Sequence, residues 1–218
     1  MCGRYTLTTS IDRLAREFDL DGGVGELSPN YNVAPTQSVA AVISEGGGRR
    51  LEMLRWGLVP SWADDPEIGS RMINARAETA PEKPSFRSAF KRRRCIIPAD
   101  GFYEWKREEG GKQPFYIHMN DGHPFGFAGL WEIWHDELRT CAILTTSPNA
   151  VAAEVHDRMP VILPRENYDA WLDPEAEREE LVSLLVPYEG DDLEAYPVSR
   201  FVNSPRNNDE RCIEPVAA

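Results

Sequence analysis

Cys2 is the one cysteine of this chain that can acquire an amine on the neighbouring carbon. Removal of Met1 by an aminopeptidase, which accepts a small second side chain, leaves Cys2 with a free α-amine beside its thiol. The amine has a reference pKa near ~8 and is largely uncharged at slightly alkaline pH. The thiol is a second nucleophile close behind it. Such a pair captures an aldehyde twice, first as a Schiff base and then as a five-membered thiazolidine. The competing reading is that Cys2 is an ordinary second residue.

Five segments carry polar or aromatic residues where a plain core would not ask for them. They are Cys2-Gly3-Arg4-Tyr5, Arg55-Trp56-Gly57-Leu58-Val59-Pro60-Ser61-Trp62, Asn74-Ala75-Arg76-Ala77-Glu78-Thr79, Pro98-Ala99-Asp100-Gly101-Phe102-Tyr103-Glu104-Trp105 and His156-Asp157-Arg158-Met159-Pro160. Glu104 stands between two aromatics, a setting that raises a carboxylate pKa toward general acid/base use. It reads equally well as a surface residue on the polar side of the Phe102/Tyr103/Trp105 strand. His156 follows a short helix and is either a proton carrier or a helix-end histidine bonding a carbonyl. Asn74 and Arg76 alternate as on an extended strand and point the same way; Arg76 alternatively neutralises a carboxylate such as Glu78. Trp62 lies in a polar, proline-flanked loop and is freer than Trp56, Trp105 and Trp131, which are read as structural.

These segments need elements to position them. Ile11, Leu14, Ala15 and Phe18 follow helical spacing behind Thr9 or Ser10 as N-cap. A Pro/Asn-rich loop then holds Tyr31-Asn32-Val33-Ala34-Pro35. Strands are expected at 39–44 and 51–58 around the Gly46-Gly47-Gly48 turn. Further strands are expected at 95–97, 102–106, 115–119, 125–131, 140–146 and 159–163. Gly110-Gly111 and Asp121-Gly122 supply hairpin turns. Ser85–Arg93 reads as helical, and Ser147-Pro148 as the cap and first residue of a helix to about Val155. Two acidic helices, within about 165–192, precede an extended tail. Short strands with interspersed helices and no βαβ rhythm predict an α+β fold, with a curved, mainly antiparallel, barrel-like sheet and peripheral helices. No linker divides residues 1–218, so one domain is expected.

The 41% apolar content and six tryptophans of the 218 residues argue for a folded globule. No apolar run approaches the ~20 residues of a membrane span, and a cytosolic protein is expected. Cys2, Cys95, Cys141 and Cys212 lack metal or disulfide spacing; no metal and no cofactor are expected, and Cys95 and Cys141 read as core thiols. The net charge of −12 argues against indiscriminate nucleic-acid binding. It is partly segmental, however, since 165–196 holds eleven acids and two arginines. Lys91-Arg92-Arg93-Arg94 is a basic run that reads as a solvated helix end or a phosphate contact.

Taken in order, the five segments resemble the SRAP family of abasic-site processing proteins. Asn32-Val33-Ala34-Pro35, Ala128-Gly129-Leu130-Trp131-Glu132, Thr145-Thr146, Pro197-Val198-Ser199 and Val202-Asn203 extend the likeness over nearly the whole chain. The acidic stretch from Glu175 to Asp192 is its least similar part. The resemblance implies a DNA-damage sensor that crosslinks abasic sites in single-stranded DNA through Cys2 as a stable thiazolidine. It makes Cys2 the nucleophile, Glu104 the general acid/base and His156 a second proton carrier, with Asn74 and Arg76 holding the lesion sugar and its phosphate. Arg4, Arg76 and Arg158 would meet phosphates, and Trp62 and Pro35 would pack on bases. It further implies lyase-type chemistry and an autoproteolytic step at Met1; a monomer is expected because nothing in the sequence demands more, and a nucleoid location if the source is prokaryotic.

Two other classes compete. Among N-terminal-nucleophile cysteine hydrolases, glutamine amidotransferase domains also begin Met-Cys-Gly, but their Asn-Gly dipeptide is absent here, and a self-cleaving cysteine peptidase would release only Met1. A plain single-strand binding module would make Cys2 incidental and its binding reversible and indifferent to lesions.

Overall fold

The computed structural model describes residues 2–21 and 25–216. Among these the strands are β1 (Tyr5–Leu7), β2 (Asn30–Val33), β3 (Ser38–Glu45), β4 (Gly48–Trp56), β5 (Asn74–Arg76), β6 (Arg94–Ala99), β7 (Gly101–Glu108), β8 (Gly111–Met119), β9 (Phe125–Trp134), β10 (Leu138–Thr146), β11 (Met159–Pro160), β12 (Ile162–Leu163) and β13 (Leu193–Pro197). The helices are short: α1 (Ile11–Glu17), α2 (Arg87–Arg92), α3 (Ala150–Ala153), α4 (Tyr168–Leu172) and α5 (Arg178–Ser183).

β10, β4, β3, β6 and β9 close into a five-strand barrel, because β9 pairs with β10 as well as with β6. All its joints are antiparallel except β10–β4, which is parallel. Closure removes the free edges that an open sheet would expose. β6 and most of β9 are buried residue after residue. They face the barrel interior on one side and covering helices on the other, since α4 packs on β6 and α2 on β9. This two-sided burial is why they read as apolar runs rather than alternating strands.

A second antiparallel sheet, β13-β8-β7-β1-β2, packs on the barrel. Tyr5 of β1 meets Trp56 and Phe127 edge-on at 5.4 and 5.9 Å, and Phe102 of β7 meets Phe127 at 6.0 Å. Two glycines from the singled-out segments make this geometry possible. Gly57 has φ +135°, and a Cβ there would come within 2.6 Å of the Gly69 carbonyl oxygen. A Cβ on Gly101 would collide with the Tyr116 ring, whose hydroxyl lies 2.8 Å from Thr6 Oγ1.

The α+β expectation holds, as do the strand expectations from 39 to 146, apart from boundaries of a few residues. Some local readings do not. Asp121-Gly122 makes no hairpin, because β8 and β9 belong to different sheets. The cap of α3 is Asn149 rather than Ser147, and its side chain accepts from Ala152 N. The 159–163 strand is two short strands that pair with different partners, β11 with β10 and β12 with β9. Tyr31 to Val33 lie on β2, not in a loop. Arg94 is no solvated helix end: its guanidinium is buried and donates to the carbonyls of Trp171, Phe90, Lys91 and Asp173. Trp56 is structural, its Nε1 donating to Ile73 O at 2.8 Å, and Cys95 and Cys141 are buried free thiols. No helix among the described residues is long and apolar enough to cross a membrane.

Candidate active site and nucleic-acid interface

Cys2 sits just ahead of β1, and its side chain is fully buried. Three sets of bonds hold this end of the chain. Asn74 Nδ2 donates to the Cys2 carbonyl at 2.7 Å. Tyr103 N donates to Arg4 O, and Asp100 N to Thr6 O, both at 2.9 Å. The Asp100 carboxylate accepts from Thr8 N and Oγ1 and from Thr9 N and Oγ1, at 2.5, 2.8, 3.1 and 2.6 Å. β1 is therefore tied down at both ends, although it is only three residues long. Burial pushes the Cys2 thiol far up from its ordinary range, and the charge of Glu104 adds to this.

Asn74 is placed by β5, which runs parallel to β10 with Asn74 opposite Ile143 and Arg76 opposite Thr145. Its Oδ1 is buried with no hydrogen-bond partner among the described residues. Arg76, two residues along, is exposed while Ala75 between them is buried, so the alternation read in the sequence is real. Glu78 does not pair with Arg76 but with Arg158.

Glu104 lies on β7 opposite Phe115 of β8 and is 3% exposed, which rules out the surface-strand reading. Burial raises its pKa, opposed in part by the charge of His156. His156 Nε2 stands 3.9 Å from Glu104 Oε2. The other ring nitrogen, Nδ1, accepts from Arg158 N at 3.0 Å and also lies 3.0 Å from the exposed carboxylate of Asp157. One ring nitrogen cannot accept and donate at once. The amide hydrogen is fixed by the backbone, so the neutral ring carries its proton on Nε2, facing Glu104.

The Arg158 side chain forms a two-pronged pair with Glu78, at 2.5 and 2.9 Å, and donates to Thr145 O at 2.5 Å. This holds the Glu78 carboxyl below the usual carboxylate range, chiefly through the hydrogen bonds. Arg158 thus bridges β10 and the loop after β5, and its backbone orients His156. Arg4 is half-buried; its Nη1 donates to Asn32 Oδ1 at 2.7 Å and to Val202 O at 2.9 Å, and the guanidinium lies over the Trp105 ring at 5.9 Å. Among the described residues no carboxylate pairs with it.

The structure therefore gathers Cys2, Asn74, Glu104 and His156, with Arg4 and Arg158 attached at either side and Arg76 beside them on β5. Trp62 is 58% exposed with Nε1 3.5 Å from Pro84 O, and Pro35 is half-buried just beyond β2. Neither takes part in the hydrogen bonds that join the gathered residues. Sequence reasoning missed Asp100 and Asn32. Each is a polar residue inside a segment that had been singled out, and that was the available signal. Among the described residues, no three His, Cys, Asp or Glu side chains stand together as metal ligands would.

A buried carboxyl, an oriented imidazole, an unpaired carboxamide oxygen and a thiol form a set suited to carbonyl chemistry, where protons must move while water is lost. The family model described as SOS response associated peptidase (SRAP) matches residues 1–205. The chain is 50% identical over 222 residues to the abasic site processing protein YoqW of Bacillus subtilis (strain 168), covering 98% of this chain and 99% of that one. It is 33% identical over 264 residues to the abasic site processing protein HMCES of Gallus gallus, covering 99% and 78%. A crystal structure of a Bacteroides thetaiotaomicron protein superposes with a TM-score of 0.89 at 29% identity, covering 99% of this chain and 100% of that one.

Proposed function

The chain belongs to the SOS response associated peptidase family, and from that premise we propose that it captures the ring-opened aldehyde of abasic sites in single-stranded DNA. Two of its relatives bear the name abasic site processing protein. The observation that carries the reading is the buried Glu104, its pKa raised, 3.9 Å from His156 and electrostatically coupled to Cys2.

Release of Met1 is the one peptide cleavage the reaction requires. The Cys2 amine then adds to the aldehyde carbon. Protonated Glu104 donates to the leaving hydroxyl, and water departs to give the iminium. The Cys2 thiol gives up its proton to the Glu104 carboxylate as sulfur bonds to the same carbon, closing the thiazolidine. One amine, one thiol and one aldehyde yield one ring and one water, so no oxidant or cofactor is consumed. A buried thiol with a raised pKa is a poor first nucleophile, which suits amine-first addition. The Asn74 amide and the exposed Arg76 would hold the sugar and the flanking phosphate. Trp62 and Pro35 would pack on neighbouring bases, and Arg4 and Arg158 would lie along the strand.

The test is a denaturing gel and intact mass after incubation with a single-stranded oligonucleotide carrying one abasic site. Wild type should give a heat-stable adduct lacking Met1 and one water. Cys2→Ala should give none, and Cys2→Ser a more labile one. An equally stable Cys2→Ala adduct, or an adduct that retains Met1, overturns the proposal.

A further inference from the structure

We propose that Asn32 is a positioning residue that presents Arg4 to a DNA phosphate as an uncompensated cation, using the C-terminal segment 202–207 as its base. The inference rests on the reading of Arg4 as a phosphate contact and says how that contact is built.

Asn32 is 1% exposed on β2. Its Oδ1 takes one Arg4 hydrogen bond at 2.7 Å, and Val202 O takes another at 2.9 Å from the same Nη1. Its Nδ2 faces the carbonyls of Val202, Ser204 and Asn207 at 3.2, 3.0 and 2.7 Å. The segment is tied in turn to the ring beneath the guanidinium, since Trp105 Nε1 donates to Asn203 Oδ1 at 2.8 Å. Every group that holds Arg4 is a neutral acceptor or an aromatic face, and no carboxylate of the described residues pairs with it. Arg158, the other tightly held arginine of the site, is not left this way, since Glu78 compensates it. Burial lowers the Arg4 pKa, as it must for a half-buried cation without a counter-ion.

Asn is the side chain this position needs. It must accept from Arg4 on one side and donate to several carbonyls on the other, which a carboxamide does with an oxygen acceptor and two N–H donors and no charge. An Asp would accept from Arg4 but cancel its charge, and it would turn an oxygen toward three carbonyls. A phosphate arriving at Arg4 therefore meets a guanidinium already oriented and not yet neutralised, at little reorganisation cost.

The experiment measures the salt dependence of binding to a single-stranded oligonucleotide whose abasic site has been reduced and cannot crosslink. Arg4→Ala should flatten the log–log slope by about 0.7, the value for one phosphate contact on a single strand. Asn32→Asp should flatten it by the same amount, and the Arg4→Ala/Asn32→Asp pair by no more than either alone. Asn32→Ala leaves the charge but frees its orientation. It should weaken binding several-fold at every salt concentration with the slope unchanged. General structural damage would move both Asn32 variants alike. Should Asn32→Asp fail to fold, Asn203→Asp serves: it is exposed, keeps the acceptor for Trp105 and brings a carboxylate toward Arg4, so it too should flatten the slope. A folded Asn32→Asp or Asn203→Asp with the wild-type slope, while Arg4→Ala loses it, overturns the inference. A wild-type slope in Arg4→Ala overturns the phosphate reading beneath it, leaving covalent capture untouched.

Discussion

Glu104 shows how one side chain can be written plainly in a sequence and still leave two readings open. Tyr103-Glu104-Trp105 on a strand suggests a polar outer face, but β1 and β8 flank β7 and the residue is 3% exposed. Burial raises its pKa, with consequences for rate and for stability. Glu104→Gln keeps the shape but cannot exchange the proton, and crosslinking should slow by roughly 10²-fold. Single-turnover gels measure this, and affinity for a reduced abasic strand should stay put. A wild-type rate would make the carboxylate structural. For stability the sign follows from proton binding. A folded-state pKa above the unfolded value means that the native protein holds more protons, so stability falls as pH rises through the folded pKa. Glu104→Gln removes that loss. Its melting temperature should exceed wild type at neutral pH, and the gap should vanish below the unfolded carboxylate pKa of ~4.3.

The short elements were the least legible. β3, β4, β6, β7, β9 and β10 announce themselves through apolar runs and glycine turns. β1 and β2 are three and four residues long, and only their partners far along the chain make them strands. Arg94 stands last in a run of four basic residues and so looked solvated, yet it caps the carbonyls where α2 and α4 end. No local pattern encodes those contacts. The alternation of Asn74 and Arg76 was legible because the strand period is carried by the two residues themselves. What fixes β1 is Asp100, with four bonds to Thr8 and Thr9. Asp100→Ala removes both acceptor oxygens and with them all four bonds. It should cost about 3 kcal/mol, below a simple sum because the bonds share one carboxylate. It should also slow crosslinking, because Cys2 hangs from that strand. Urea melts and gel rates on the same preparations check both. Unchanged stability would show that Asp100 is dispensable to the fold.

At the scale of the whole molecule, the charge of −12 and the proposed DNA site must coexist. The excess acid lies largely in 165–196, while the site's arginines are few. Affinity should then rest on a handful of contacts rather than on long-range attraction. Arg76→Ala should flatten the salt slope for single-strand binding by about 0.7. Trp62→Ala should weaken binding by about 1–3 kcal/mol with the slope intact, because stacking releases few counterions. Equal slopes in wild type and Arg76→Ala would move the strand's path elsewhere, with the exposed Lys91 and Arg92 of α2 next in line.

The bond from Arg4 to Val202 spans 198 positions. During synthesis Arg4 leaves the ribosome roughly 10–40 s before Val202, at 5–20 residues per second. Through that interval the Arg4–Val202 bond cannot form. In the folded chain Cys2 is buried. If capture at Cys2 proceeds as proposed, the 198 positions between Arg4 and Val202 leave that interval for Met1 to be removed before the Arg4 contacts close.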